Sequence, residues 1–77
     1  MRTQVMPKQC KEGVIARVSD DAGVAYIISK ALNRQFIFRY NKIIGYAGQS
    51  AKEISLKSGR HVNFTLEDDV VQSVELL

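Results

Sequence analysis

Residues 13–40, GVIARVSDDAGVAYIISKALNRQFIFRY, contain short runs of β-forming residues separated by two turn signals. The runs are residues 13–18, 24–29 and 35–40. Their apolar residues lack the three-to-four-residue spacing of a helix. The first turn is marked by an Asp pair and Gly23, and the second by Asn33, a residue type that tolerates positive φ. This stretch therefore predicts a three-stranded antiparallel meander.

The rest of the chain predicts two further strands after a long connection. Residues 41–56 contain two glycines and lack a strand pattern, and residues 50–54 are compatible with one short helical turn. Residues 60–67 alternate apolar and polar side chains, which is typical of a strand with one buried face. The pair Asp68-Asp69 then favours a tight hairpin turn, and residues 70–77 complete a fifth strand.

Five short antiparallel strands, arranged as three, a long connection and two, predict an all-β fold. The expected architecture is a small five-stranded Greek-key barrel. Closing the sheet into a barrel removes the exposed strand edges that promote aggregation. An OB-fold is the leading candidate, and SH3-like or Sm-like barrels have similar strand counts. We expect residues 1–11 to form a flexible N-terminal leader and residues 12–77 to form the barrel.

Length and composition restrict the chain to one small domain. Its 77 residues are 45% hydrophobic and 25% charged, which is typical of a globular fold and too short for two cores. Cys10 is the only cysteine and the sequence has no Cys/His cluster, so we expect no disulfide framework, metal site or cofactor. No apolar run suits a signal peptide or a membrane span. We expect a cytoplasmic monomer that does not contact membranes.

Basic and acidic residues are distributed unevenly along the chain. The formal net charge is +3. All 11 Lys and Arg residues lie within residues 1–61, whereas the four acids of residues 62–77 have no base among them. No acid occurs between Ala22 and Lys52. We therefore expect a positive middle and a negative C-terminal edge, and a positive surface suits a polyanion.

Three sequence motifs occur in a characteristic order after the first predicted strand. Residues 23–27 read GVAYI, residues 36–40 read FIFRY, and residues 56–64 read LKSGRHVNF. This order resembles the cold-shock domain family, whose members are OB-folds that bind nucleic acid. The resemblance covers residues 12–74 and implies that surface aromatic side chains stack on unpaired bases.

Several aromatic positions of the family pattern hold other residue types in this chain. The positions at which the resemblance implies an aromatic side chain hold Arg17, Val18, Val24 and Ile37, and Arg39 stands where it implies a histidine. A guanidinium group can both stack on a base and contact a phosphate, so cations replace part of the stacking. We therefore expect charge-driven binding of low sequence specificity that is weaker and more salt-sensitive than stacking-driven binding.

Strand alternation predicts which side chains face the ligand. If Ile27 faces the core, its neighbour Tyr26 faces outward, and the same argument turns Arg39 outward on the third strand. Strict alternation groups Tyr40 with core phenylalanines, so a core role and a stacking role both stay open for it. The candidate nucleic-acid-binding residues are Arg17, Val24, Tyr26, Ile37, Arg39, Tyr40, Lys42 and Arg60.

The predicted function is binding of single-stranded RNA or DNA, without enzymatic activity. The sequence contains no Ser-His-Asp set, no metal-ligand spacing and no Gly-rich phosphate loop. His61 is the only histidine, and we expect it to face solvent. The alternative is a protein-interaction module in which Val18, Val24 and Ile37 dock a protein partner.

Overall fold

The computed structural model describes residues 10–77, and strands make up most of the regular structure in this range. The strands are β1 (Cys10–Ser19), β2 (Val24–Ser29), β3 (Arg34–Arg39), β4 (His61–Glu67) and β5 (Val70–Leu76). A single 3₁₀ turn, Tyr40–Lys42, follows β3. The all-β prediction is confirmed. Within residues 10–77, no helix is long and apolar enough to span a bilayer.

The first strand begins earlier than the sequence indicated. Cys10 and Lys11 pair with residues of β4, so this part of the predicted flexible leader belongs to the sheet. The rest of the predicted leader, residues 1–9, lies outside the described residues. The first residues of β1 read CKEG and join the sheet by pairing with β4. Because they contain no apolar alternation, the sequence pattern does not predict that the strand begins there.

The strands form one curled antiparallel sheet in the order β3-β2-β1-β4-β5. Because β4 lies beside β1 although the chain reaches it only after β3, the connection is a Greek key. Arg34 of the edge strand β3 forms an ion pair with Asp69, in the turn that precedes the other edge strand, β5 (3.0 Å). A parallel bridge between Ile43 and Val74 links the chain after β3 to β5. The sheet is thus a half-barrel, and we call the boundary between β3 and β5 the seam.

One side of the curled sheet carries the hydrophobic core. Ile27 and Val62 are fully buried, and the rings of Phe36 and Phe64 pack with centroids 5.4 Å apart. Gly13 lies directly against this core, since a methyl group at that position would overlap Ile27 Cγ2. Alternate residues of β2 and β3 must point away from the core, so its position fixes the orientation of both strands.

A β-bulge in β1 sets the orientation of its outer side chains. Ile15 pairs with Ile27, and the next pair is Arg17 with Tyr26, so Ala16 is the extra residue on β1. Ile15 is buried and Arg17 is exposed. Without the bulge these two side chains would share one side of the strand, so the bulge is what turns Arg17 outward.

The connection between β3 and β4 is held by local and long-range hydrogen bonds. Ser50 and Glu53 form a capping box, in which the Ser50 amide donates to Glu53 Oε1 (2.8 Å) and the Glu53 amide donates to Ser50 Oγ (3.3 Å). The Ala51 amide donates to Asp20 Oδ1 in the β1–β2 turn (3.2 Å). The short turn expected at residues 50–54 is therefore present as a capped, hydrogen-bonded turn that is tied to the sheet.

Candidate nucleic-acid interface

The side chains on the outer side of β1, β2 and β3 form rows that the strand register sets. Arg17 pairs with Tyr26 and Tyr26 pairs with Ile37, so these three residues lie side by side across the sheet. In the neighbouring row, Val24 pairs with Arg39. We call the surface formed by these five residues the outer face. Its side chains point away from the core, as strand alternation predicted for β2 and β3.

Arg17 and Tyr26 form a cation–π pair on the outer face. The guanidinium carbon of Arg17 lies 5.0 Å from the centroid of the Tyr26 ring. Tyr26 is half-buried and Arg17 is exposed. Because both groups are planar, a nucleobase can stack on the guanidinium or take its place over the ring.

Toward the seam, the outer face continues into a shallow groove. Ile37 is 53% exposed, and the exposed Arg39 lies two residues further along β3. Lys42, in the 3₁₀ turn, brings a second cation to the same groove. We call this groove the seam groove, and its lining includes Val24, Ile37, Arg39, Lys42, Val70 and Val71.

Acidic side chains are absent from the elements that carry most of the outer face. In β2, β3 and the 3₁₀ turn, the charged residues are all basic. The nearest acids along the chain, Asp20 and Asp21, belong to the turn before β2. Asp20 Oδ1 accepts hydrogen bonds from the Tyr40 hydroxyl and the Ala51 amide. The five residues of the outer face therefore include two cations, Arg17 and Arg39, and no carboxylate.

Tyr40 belongs to the core and not to the outer face. It is 5% exposed, its hydroxyl donates to Asp20 Oδ1 (2.9 Å), and its ring meets Tyr46 edge-on with centroids 6.0 Å apart. Burial, together with the hydrogen bond to Asp20, raises the pKa of Tyr40 from 10.0 to about 12. The alternation of buried and exposed side chains along β3 continues into the 3₁₀ turn and buries Tyr40. The structure therefore corrects the prediction that placed Tyr40 among the binding residues.

Arg60 has a role inside the fold instead of on the outer face. Its Nε donates to the carbonyl oxygen of Leu77 (2.8 Å). Its Nη1 donates to the carbonyl oxygens of Ile54 (3.2 Å) and Ser55 (3.0 Å). These bonds tie the residue before β4 to the end of β5 and to the capped turn. Arg60 therefore donates to three carbonyl oxygens and lies outside the outer face, and its predicted contact with phosphate stays a prediction.

The apolar cluster expected for a protein-docking surface has a different composition in the structure. Val18 packs against the core, so it does not join Val24 and Ile37. Val70, the first residue of β5, is 55% exposed and lines the seam groove with them. Val70 is not among the residues predicted from the sequence, although the alternation that buries Val71 also turns Val70 outward.

At the other end of β1 and β2, the outer side of the sheet has mixed charge. Shallow depressions there are lined by Val14 and Ile28, with Lys30, His61 and Glu12 around them. His61 is exposed, which confirms the orientation predicted for it. Glu12 and Lys30 line the same depression, so acidic and basic side chains lie side by side at this end.

Comparisons with known proteins give no match. No protein-family model, no curated protein and no solved structure matches this chain. In the part of the chain that the structure describes, no three His, Cys, Asp or Glu side chains are grouped so that they would hold a metal ion.

Proposed function

We propose that this chain binds single-stranded nucleic acid, RNA or DNA, and that the outer face is its binding surface. The observation that carries the proposal is Arg17 stacked on Tyr26, with Arg39 and Lys42 toward the seam. This arrangement combines a planar stacking surface with cations for the phosphate backbone, the two features that single-strand binders use.

The fold family that we propose is the cold-shock type of OB-fold. The Greek-key strand order supports it, and so does the parallel Ile43–Val74 bridge that links the chain after the 3₁₀ turn to the edge strand β5. The order of the sequence motifs along residues 12–74 supports the same assignment. In this family assignment, most of the aromatic side chains of the binding surface are lost, and Arg17 and Arg39 stand at positions where the family has an aromatic side chain and a histidine.

In the proposed mechanism, one base stacks on the Arg17–Tyr26 pair and the cations neutralise the flanking phosphates. A base–aromatic stack contributes about 1–3 kcal/mol. Phosphate contacts carry no sequence information, so binding should have low sequence specificity. The bases must be unpaired, because base faces in a duplex are already stacked on each other. The proposed role is binding without catalysis.

Binding should weaken steeply as the salt concentration rises. Arg17, Arg39 and Lys42 together neutralise about three phosphates, so the logarithm of the association constant should fall with the logarithm of salt concentration at a slope of about −2. Fluorescence anisotropy of a labelled oligothymidylate at several NaCl concentrations measures this slope. The Arg39→Gln variant should make the slope shallower by about 0.7. Affinity that does not change with salt would contradict a charge-driven interface.

A second candidate function is docking of a protein partner on the apolar part of the same surface. The exposure of Ile37 and Val70 on either side of the seam favours it. Titration of the chain with RNA and DNA single strands separates the two functions. If neither nucleic acid perturbs the outer face, protein docking becomes the better assignment.

A further inference from the structure

Three rows of side chains cross the outer side of the sheet from β1 to β2. The strand register sets two of the rows, and the third joins β1 to the residue that directly follows β2 and lines the same depression. The rows are Glu12 with Lys30, Val14 with Ile28, and Arg17 with Tyr26. In each row, the residue from β1 is therefore the chemical complement of its neighbour: acid and base, two apolar side chains, or cation and aromatic ring.

This pattern is complementary to itself under a two-fold rotation. An axis that runs parallel to the strands, between β1 and β2, places β1 of one copy over β2 of a second copy. The rotation keeps each row at its own level along the strands. Glu12 then faces Lys30 of the second copy, and Val14 faces Ile28, which is 43% exposed in the single chain. Each contact occurs twice, as in any isologous interface.

We propose that two copies of this chain associate through the outer sides of β1 and β2, and that the dimer covers the surface that binds nucleic acid. The association goes beyond the proposed function, and only the competition with nucleic acid rests on it. Aligned sheets pack face to face about 10 Å apart, with strand directions within about 30° of each other. A nucleobase cannot reach Tyr26 in such a dimer. Self-association and nucleic-acid binding therefore exclude each other.

Charge favours a second copy as the occupant at the start of β1. The Glu12 carboxylate repels a phosphate that approaches Lys30, and an apolar peptide would bring neither side chain a counter-charge. A second copy brings its own Lys30 to Glu12 and its own Glu12 to Lys30, so each charge meets an opposite charge across the contact. These two ion pairs offset part of the repulsion between copies whose formal net charge is +3 each.

The curl of the sheet limits the size of this contact. The core lies on the concave side, so the outer side is convex, and two copies touch mainly along one pair of neighbouring strands. The three rows supply six side chains per copy. A standard protein interface uses about 20–30 residues on each side. We therefore expect a weak dimer that dissociates readily, and the monomer expected from the sequence is the form that binds nucleic acid.

Sedimentation equilibrium of charge-reversal variants tests the two-fold pairing. Glu12→Lys or Lys30→Glu alone turns both ion pairs of the dimer into repulsions and should weaken self-association about tenfold or more. The double reversal restores both pairs and should bring the association constant back to within about threefold of the wild type. The buffer contains a reductant, because the exposed Cys10 can form a disulfide between copies.

Glu75→Lys and Lys57→Glu are the matched controls. Both positions are exposed, lie outside β1 and β2, and give the same changes in net charge as the two reversals. Each control should change self-association less than about threefold, because its charge lies away from the contact. Circular dichroism checks that every variant folds. If a reversal does not fold, Ile28→Thr replaces it, keeps a β-branched side chain, and should also weaken the dimer.

Each outcome of these experiments supports the dimer or overturns it. A wild type that stays monomeric up to about 1 mM overturns it, and so does a double reversal that associates as weakly as the single ones. Adding hexathymidylate, which is short enough for one copy, should convert the dimer to a monomer as it binds. A complex in which the chain stays dimeric overturns the shared surface. A chain that dimerises without binding the oligonucleotide overturns the proposed function and leaves the dimer intact.

Discussion

Replacing Tyr40 by alanine should lower the free energy of unfolding by about 3–4 kcal/mol, as expected for removal of a buried aromatic ring. The ring packs edge-on against Tyr46. The Tyr40 hydroxyl donates a hydrogen bond to Asp20 Oδ1, which also accepts a hydrogen bond from the Ala51 amide. The substitution would leave a cavity and weaken the link between the β1–β2 turn and the connection that follows β3. Urea unfolding followed by circular dichroism measures the change.

Tyr40→Phe is the matched control, because it keeps the ring and removes only the hydrogen bond to Asp20. It should cost about 1 kcal/mol and leave affinity for an oligonucleotide unchanged. The pKa of Tyr40 is raised from 10.0 to about 12, so the stability due to its neutral hydroxyl is present below pH 10 and lost as the pH rises toward 12. Tyr40→Phe should lack this alkaline loss. A Tyr40→Ala variant with near-normal stability and reduced affinity would contradict the core position.

Replacing Tyr26 by alanine should weaken oligonucleotide binding by roughly 5- to 150-fold, the equivalent of about 1–3 kcal/mol for one lost stack. The melting temperature should change little, since Tyr26 is half-buried on the outer face and is not part of the core cluster. The variant also removes the ring over which the Arg17 guanidinium lies. Anisotropy titrations and thermal melts of the same preparation measure both quantities.

Two controls accompany the Tyr26 variant. Tyr26→Phe keeps the stacking surface and should bind within about twofold of the wild type, since the stack depends on the ring and not on the hydroxyl. Asn63→Ala alters a half-buried residue of β4, outside the outer face, and should leave affinity unchanged. A large loss of melting temperature with unchanged affinity in Tyr26→Ala would show that the ring serves packing instead of binding.

The alternation of apolar and polar residues in the sequence predicted the strands that have one fully buried face. In β2 and β3, Ile27 and Phe38 face the core while Tyr26 and Ile37 face outward, because a slip of one residue would expose the whole apolar set. The same alternation carries Tyr40 into the core, which is one of the two roles that the sequence left open for it.

Features that depend on contacts between distant parts of the chain were not predictable in this way. The bulge at Ala16 orients Arg17, and pairing with β4 extends β1 back to Cys10. Arg60 donates to carbonyl oxygens whose positions depend on the fold of the connection and of β5. Val70 reaches the seam groove only because the sheet curls and brings its two edges together. The sequence around each of these residues does not indicate which residues it contacts in the fold.

The most direct test of the outer face is an NMR titration of the ¹⁵N-labelled chain with an oligothymidylate at low salt. Amide resonances of Arg17, Tyr26, Ile37 and Arg39 should shift together, whereas those of β4 should stay in place. Raising the salt concentration should reverse the shifts, because the phosphate contacts are screened. Shifts confined to β4, or no shifts with RNA or DNA at any accessible concentration, would contradict nucleic-acid binding by this surface.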